Sequence, residues 1–306
     1  MRAMGIDLGS NTLRAALLGD ENEILWEFEC VVRTAEGFAK SPVILPQTIA
    51  RLCENIRAMQ SDLYNKTQLD FAEIPTLALA TAALRKASNQ QEVQAILAGL
   101  GIPFRVITAE QEVIFTLNAA LFALHRAAPE KLGAPFLLLD IGGASTEICF
   151  YCGDGQYLNA FEDCLLLSKS FDIGIVTLSE RDEADKNATL DSFYAHLQYW
   201  LAKLQMPLPQ TLLASGGVPQ AVVNLANDMP QHMPQTLHRD EIARVSAFYP
   251  TLSKSEQIAR VGAGRESLIL HGIALFNVVL RALGLQQCLV VQESLREGAA
   301  LHIKYF

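Results

Sequence analysis

A chain of 306 residues, half of them hydrophobic and 19% charged, carries enough apolar material for a sizeable core and is comfortable as two domains. Its net charge of −9 excludes a broadly basic surface, and with it nucleic acid as the expected partner, while leaving room for an anion held in a locally positive cleft. Six cysteines are too few for a disulfide scaffold, and no apolar stretch runs long enough to span a bilayer.

The N-terminus meets an acidic residue and a glycine turn too soon for a signal peptide, so a soluble cytoplasmic protein without membrane contact is expected. Residues 2–9 read as a strand ending on Asp7, followed by Gly9-Ser10-Asn11-Thr12 and a second apolar strand over 13–18. Residues 23–32 supply a third strand, and 33–46, with Gly37, Pro42 and Pro46, a loop. Ile49, Leu52, Ile56, Met59 and Leu63 share one face of a helix. A strand over 77–80 leads into Thr81-Ala-Ala-Leu-Arg85-Lys86-Ala-Ser-Asn89, then a helix over 90–100 and a strand over 104–107.

Thr108 is an N-cap for the long helix that follows, and Glu112 sits in its first turn, where a carboxylate is favoured by the helix dipole. Residues 126–135 form a connector, which divides the chain into 1–125 and 126–306. The last helix, starting after Ser294, is a candidate to pack back on the first lobe.

The stretch Phe136-Leu-Leu-Leu-Asp140-Ile-Gly142-Gly143-Ala-Ser145-Thr146-Glu147-Ile-Cys-Phe150 repeats the opening design: apolar run, Asp, glycine turn, hydroxyl residues, apolar return. A glycine turn presents backbone N–H groups that can cradle a phosphate. Ser145 and Thr146 add hydroxyls, and Asp140 and Glu147 supply hard oxygens suited to Mg²⁺. One copy alone reads equally as a plain hairpin; the second copy favours phosphate. Cys149 and Cys152 form a lone CxxC and are expected as buried thiols, and the six histidines show no metal-ligand spacing.

Further on, residues 153–155 turn the chain and 164–171 form a strand leading into the segment 171–180. Residues 190–204 read as an amphipathic helix with Leu190, Phe193, Leu197, Trp200 and Leu204 on its apolar face. A strand over 211–214 feeds Ser215-Gly216-Gly217 and a helix to 226, with 230–234 as loop. Helices over 239–248 and 266–283, a strand over 288–292 and a short terminal helix complete the chain. Each half opens with a strand–Asp–turn–strand unit, which predicts two similar α/β lobes around a phosphate or nucleotide cleft.

These motifs resemble those of the exopolyphosphatase / guanosine pentaphosphate phosphohydrolase family, a branch of the actin-like ATPase superfamily. Gly5-Ile-Asp7-Leu-Gly9-Ser10-Asn11-Thr-Leu-Arg14 is similar to its first phosphate loop, and the stretch from Thr81 to Asn89 to its threonine–arginine–asparagine signature. Ile107-Thr-Ala-Glu-Gln-Glu112 is similar to the segment with its catalytic glutamate, and Asp140 to Glu147 to its second phosphate loop. Ser170 to Glu180, Ser215-Gly-Gly217, Arg265 to Ala274 and Leu295-Arg-Glu-Gly298 extend the likeness over the chain, in the short, two-lobed form.

The resemblance implies two actin-like (ribonuclease H-like) lobes, with mixed β-sheets flanked by helices and an interlobe cleft. It implies a Mg²⁺-dependent acid-anhydride hydrolase that releases terminal phosphate from inorganic polyphosphate or from pppGpp, the latter a link to the stringent response. Glu112 would orient water and Glu147 would be a second carboxylate. Ser10, Asn11, Arg85, Gly142, Gly143, Ser145 and Arg265 would bind phosphate, and Asp7 and Asp140 the metal. A homodimer is common among relatives. Ala109 and Ala144 stand where glycines are usual, and Gln111 where a glutamate is. A non-catalytic phosphonucleotide sensor and an ATP-dependent kinase are the alternatives.

Overall fold

Residues Ala3–Leu8 form strand β1, and the two faces of this strand set the layering of the first unit. The computed structural model describes residues 1–152, 165–204, 207–229 and 233–305; the turn expected at 153–155 and the start of the loop expected at 230–234 lie outside the described residues. The chain divides into two compact units, Met1–Ala119 with Glu293–Phe306, and Ala120–Gln292. The junction falls inside the helix Ala109–Ala127.

In the first unit β1 pairs antiparallel with β2 (Thr12–Leu18), which pairs antiparallel with β3 (Ile24–Val31). On its other side β1 runs parallel to β4 (Thr76–Ala80), and β4 parallel to β5 (Arg105–Val106). The order is thus β3-β2-β1-β4-β5. Met4, Ile6 and Leu8 share one core with Leu52, Ile56, Met59 and Leu63 of the helix Pro46–Thr67 and with Val93 and Leu97 of the helix Gln90–Ala98. That is the three-and-four spacing read from the sequence, placed against a sheet.

The alternate residues of β1, Gly5 among them, lie under the helix Leu295–Tyr305. A Cβ on Gly5 would sit 1.8 Å from the carbonyl oxygen of Arg296, and one on Gly298 would sit 2.0 Å from that of Phe115. Both glycines therefore serve close backbone approach. Leu295 and Ala299 join Leu79, Ile107 and Phe115 in a small buried cluster. Arg296, buried at 6% exposure, donates to Glu27 and to Glu297, each at 2.6 Å. The Glu297 carboxylate also accepts from the Ser294 N–H at 2.9 Å, so the buried charges are paired and hydrogen-bonded. Gly5→Ala is expected to destabilise the protein by about 3 kcal/mol in denaturant unfolding, because backbone rather than a side-chain tip must give way.

In the second unit β6 (Phe136–Ile141), β7 (Thr146–Tyr151) and β8 (Leu165–Phe171) form the antiparallel meander. Strand β6 also runs parallel to β9 (Leu212–Ser215), β9 parallel to β11 (Gln287–Val290), and β10 (Gln235–His238) closes the far edge antiparallel to β11. The order β10-β11-β9-β6-β7-β8 repeats the first sheet with one strand added. Helices Glu183–Ala202, Gly217–Ala226, Arg239–Phe248 and Ile269–Leu283 flank it. Strand β10 and the helices Ile175–Ser179 and Lys254–Val261 were not expected; each is too short to show a period.

The expectation of two buried thiols is corrected. Cys149 is buried, and burial pushes its thiol up to about 12, but Cys152 lies past the end of β7 and is exposed. Among the described residues no helix is long and apolar enough to cross a membrane.

Candidate active site

The two Asp-bearing hairpins close in the same way. In the first, the Gly9 N–H donates to the Thr12 carbonyl at 2.9 Å, leaving Ser10 and Asn11 as a two-residue loop. The Ser10 carbonyl accepts from the N–H of Ala35, and the Asn11 carbonyl from those of Val32 and Arg33, all at 2.9 Å. In the second, the Gly142 N–H donates to the Ser145 carbonyl at 2.9 Å, with Gly143 and Ala144 in the loop. Here the Gly142 and Gly143 carbonyls accept from Ile175 and Val176 at 3.0 and 2.8 Å, at the start of the helix Ile175–Ser179.

A trans peptide points its N–H opposite its C=O. With the loop carbonyls turned to their partners, the N–H groups of Asn11, Thr12, Gly143 and Ala144 face the other way, as anion recognition requires. Gly174 permits the second arrangement, since a Cβ there would come within 2.4 Å of the Ala144 nitrogen. Gly142, Gly143 and Ala144 are all absent from the positive-φ residues, so the alanine in place of a glycine carries no backbone strain.

The registers match as well. Asp7 lies opposite Arg14, and Asp140 opposite Glu147. Asp7 is buried, its Oδ1 has no hydrogen-bond partner, and the Asn11 Oδ1 is likewise buried without one. Burial raises the Asp7 carboxyl to about 6, against the opposing pull of Arg14 and Arg296. Asp140 is half-buried over Gly216, which has φ +89° and whose added Cβ would sit 2.8 Å from Asp140 Oδ1. Glu147 is buried and accepts from the Ser170 hydroxyl at 2.7 Å. Thr146 Oγ1 donates to the Ile173 carbonyl at 2.7 Å. Ser10 and Ser145 are both buried within their turns.

Arg85 Nη1 donates to Glu112 Oε2 at 3.1 Å and to the Ile107 carbonyl at 2.8 Å. The guanidinium thus holds the carboxylate over the helix start, with both side chains largely buried. Thr108 and Gln111 form a capping box: the Gln111 N–H donates to Thr108 Oγ1 at 3.2 Å, and Gln111 Oε1 accepts from the Thr108 N–H at 3.1 Å. Glutamine fills that role as well as glutamate, and Ala109 opens the helix where alanine is favoured over glycine. Gln111→Ala is expected to cost about 1 kcal/mol of stability, read as a shift of the denaturant midpoint, whereas Gln111→Glu leaves it unchanged.

The structure therefore groups Asp7, Ser10 and Asn11 in one hairpin and pairs Arg85 with Glu112, all in the first unit. It groups Asp140, Gly142, Gly143, Ser145 and Glu147 in the second hairpin. Arg265 lies in the same unit as that hairpin, in the turns between the helices Lys254–Val261 and Ile269–Leu283, with Nη2 buried. Sequence reasoning assigned no role to Ser170, Gly174, Arg296 or Glu297, although each lies within a stretch that carries the family resemblance.

A charged oxygen of Asp7 and an amide oxygen of Asn11, both buried without a donor, have the chemistry of a hard-cation site. Among the described residues there is no group of three or more His, Cys, Asp or Glu that could hold a metal.

The five-strand order shared by both sheets, each opening on the same Asp-bearing hairpin, defines an actin-like α/β protein with two mixed sheets flanked by helices. The chain belongs to the Ppx/GppA phosphatase family, whose sequence profile matches residues 21–304. It is 25% identical over 333 aligned residues to Exopolyphosphatase 2 of Mycobacterium tuberculosis, covering 99% of this chain and 98% of that protein. An exopolyphosphatase structure from Cytophaga hutchinsonii superposes with a TM-score of 0.80 at 19% identity, covering 99% of this chain and 97% of that one. A Ppx/GppA family member from Aquifex aeolicus does so with a TM-score of 0.70 at 23% identity, over 99% and 98%. The structural likenesses are of fold.

Proposed function

We propose that this protein is a hydrolase of terminal phosphoanhydrides, releasing orthophosphate from inorganic polyphosphate or from pppGpp with Mg²⁺. The observation that carries the reading is the Glu112 carboxylate, buried and held by Arg85, in a unit whose first hairpin turns its loop N–H groups outward. Family membership and the likeness to a protein named Exopolyphosphatase 2 support it.

In this reading Glu112 accepts a proton from the attacking water and fixes its direction. In the first unit the N–H groups of Asn11 and Thr12 and the Ser10 hydroxyl bind phosphate oxygens, and in the second unit the N–H groups of Gly143 and Ala144 and the Ser145 hydroxyl do so. Arg85 tethers Glu112 through Nη1 and offers the rest of its fork to phosphate oxygens, with Arg265 adding charge. Glu147, held by Ser170, is the second carboxylate. Asp7 and Asp140 would hold Mg²⁺, which when bound supplies positive charge against the phosphoryl oxygens. In this reading the enzyme acts in the cytoplasm.

The departures that favour a non-catalytic sensor all sit where the backbone tolerates them: Ala109 in a helix, Gln111 in a capping box, Ala144 without positive φ. The test is phosphate release from polyphosphate and from pppGpp, with Mg²⁺ and after chelation. Stepwise release that stops with chelator is expected. A phosphorylated acceptor in place of free phosphate would mark a kinase, and ligand binding without any release would mark a sensor.

A further inference from the structure

In the second unit, the helices Glu183–Ala202 and Ile269–Leu283 and the start of Arg239–Phe248 line a cavity of about 440 Å³ to which no hairpin residue contributes. That volume lies within the range of small-molecule sites. Each long helix contributes an i,i+4 pair, Asn187 with Asp191 and Asn277 with Arg281, and Arg239 adds a second guanidinium. The Arg281 guanidinium carbon lies over the Tyr194 ring, 4.3 Å from its centroid, a cation–π contact that uses up none of its N–H donors. Among the described residues neither arginine makes a salt bridge, and Asp191 makes none either. Three charged groups thus share one cavity without neutralising one another.

Guanidiniums only donate, a carboxylate only accepts, and carboxamides do both. A complementary ligand carries an anion for the arginines and a donor for Asp191. A planar carboxylate is saturated by one guanidinium, whereas a phosphoryl group offers three oxygens to two guanidiniums from different helices. The cavity holds more than an inorganic phosphate. We propose that this cavity is a second ligand site, separate from the hairpins, for a small phosphomonoester bearing an amine.

The experiment is calorimetric titration of the full chain with O-phosphoethanolamine, with inorganic phosphate and with ethanolamine. Saturable binding of O-phosphoethanolamine is expected, stronger than of either fragment. It should weaken about tenfold or more in Arg239→Gln and in Arg281→Gln, each losing a charge-assisted bond. Asp191→Asn should erase the preference over inorganic phosphate while keeping phosphate affinity. Because Asp191 and Arg281 are exposed, these variants are expected to fold, as circular dichroism would show. Equal binding in wild type and the arginine variants, or none in the millimolar range, would overturn the proposal. Polyphosphate hydrolysis should be unchanged in these variants, and its absence from every form would count against the hydrolase reading and leave the second site standing.

Discussion

Glu112→Gln is expected to lower phosphate release from polyphosphate by about 10³-fold in kcat, within the usual range for removal of a general base, with little change in KM. Glutamine keeps the shape of the side chain and can still accept the 3.1 Å bond from Arg85. The helix start and its capping box are untouched, so the variant should fold. What it loses is the basic oxygen and the charge that Arg85 offsets. A kcat effect without a KM effect marks an interaction made in the transition state. If release persists at wild-type rate, Glu112 is not the group that handles the water. Arg85→Gln is a useful companion, since it frees the carboxylate and removes a cation together, and should raise KM as well as lower kcat.

Asp7→Asn is expected to abolish Mg²⁺-dependent turnover by about 10²–10³-fold while making the metal-free protein more stable. Burial lifts the folded carboxyl from 3.8 to about 6. The folded state therefore binds a proton more readily than the unfolded one between those values. Stability of the metal-free protein falls as pH rises through that window and is level above it, by about 3 kcal/mol in all. Asparagine has no such slope. Denaturant unfolding in chelator at pH 5 and pH 7.5 should show the difference widening towards neutral pH. Added Mg²⁺ should then stabilise wild type and not the variant, because only wild type gains a ligand that binds the folded state. An equal response to Mg²⁺ would remove Asp7 from the metal site.

The hairpins were legible because their signal is local. An apolar run, an Asp and a glycine turn occur within a dozen or so residues, twice, and the two copies fold alike down to the Gly9 and Gly142 closures. The helix Pro46–Thr67 was legible for the same reason, since its face repeats at helical spacing. What escaped depends on partners distant in sequence. Nothing around Gly5 or Gly298 announces that a backbone carbonyl occupies the missing Cβ position. Nothing near Arg85 announces that it is bonded to Glu112, or near Ser170 that it holds Glu147. The junction of the two units was hidden because it falls within a continuous helix, whereas composition marks loops.

The return of the last helix to the first sheet has a consequence for how this protein is made. Residues 1–119 leave the ribosome well before 293–306, which complete their unit. Synthesis runs from the N-terminus, and domains generally fold as they emerge. Here the first sheet must wait, with the Gly5 face of β1 uncovered and Glu27 without its guanidinium partner, until Arg296 arrives. The second unit is continuous and can fold first. The nascent chain is thus expected to mature in reverse order, its opening strands among the last parts to be protected.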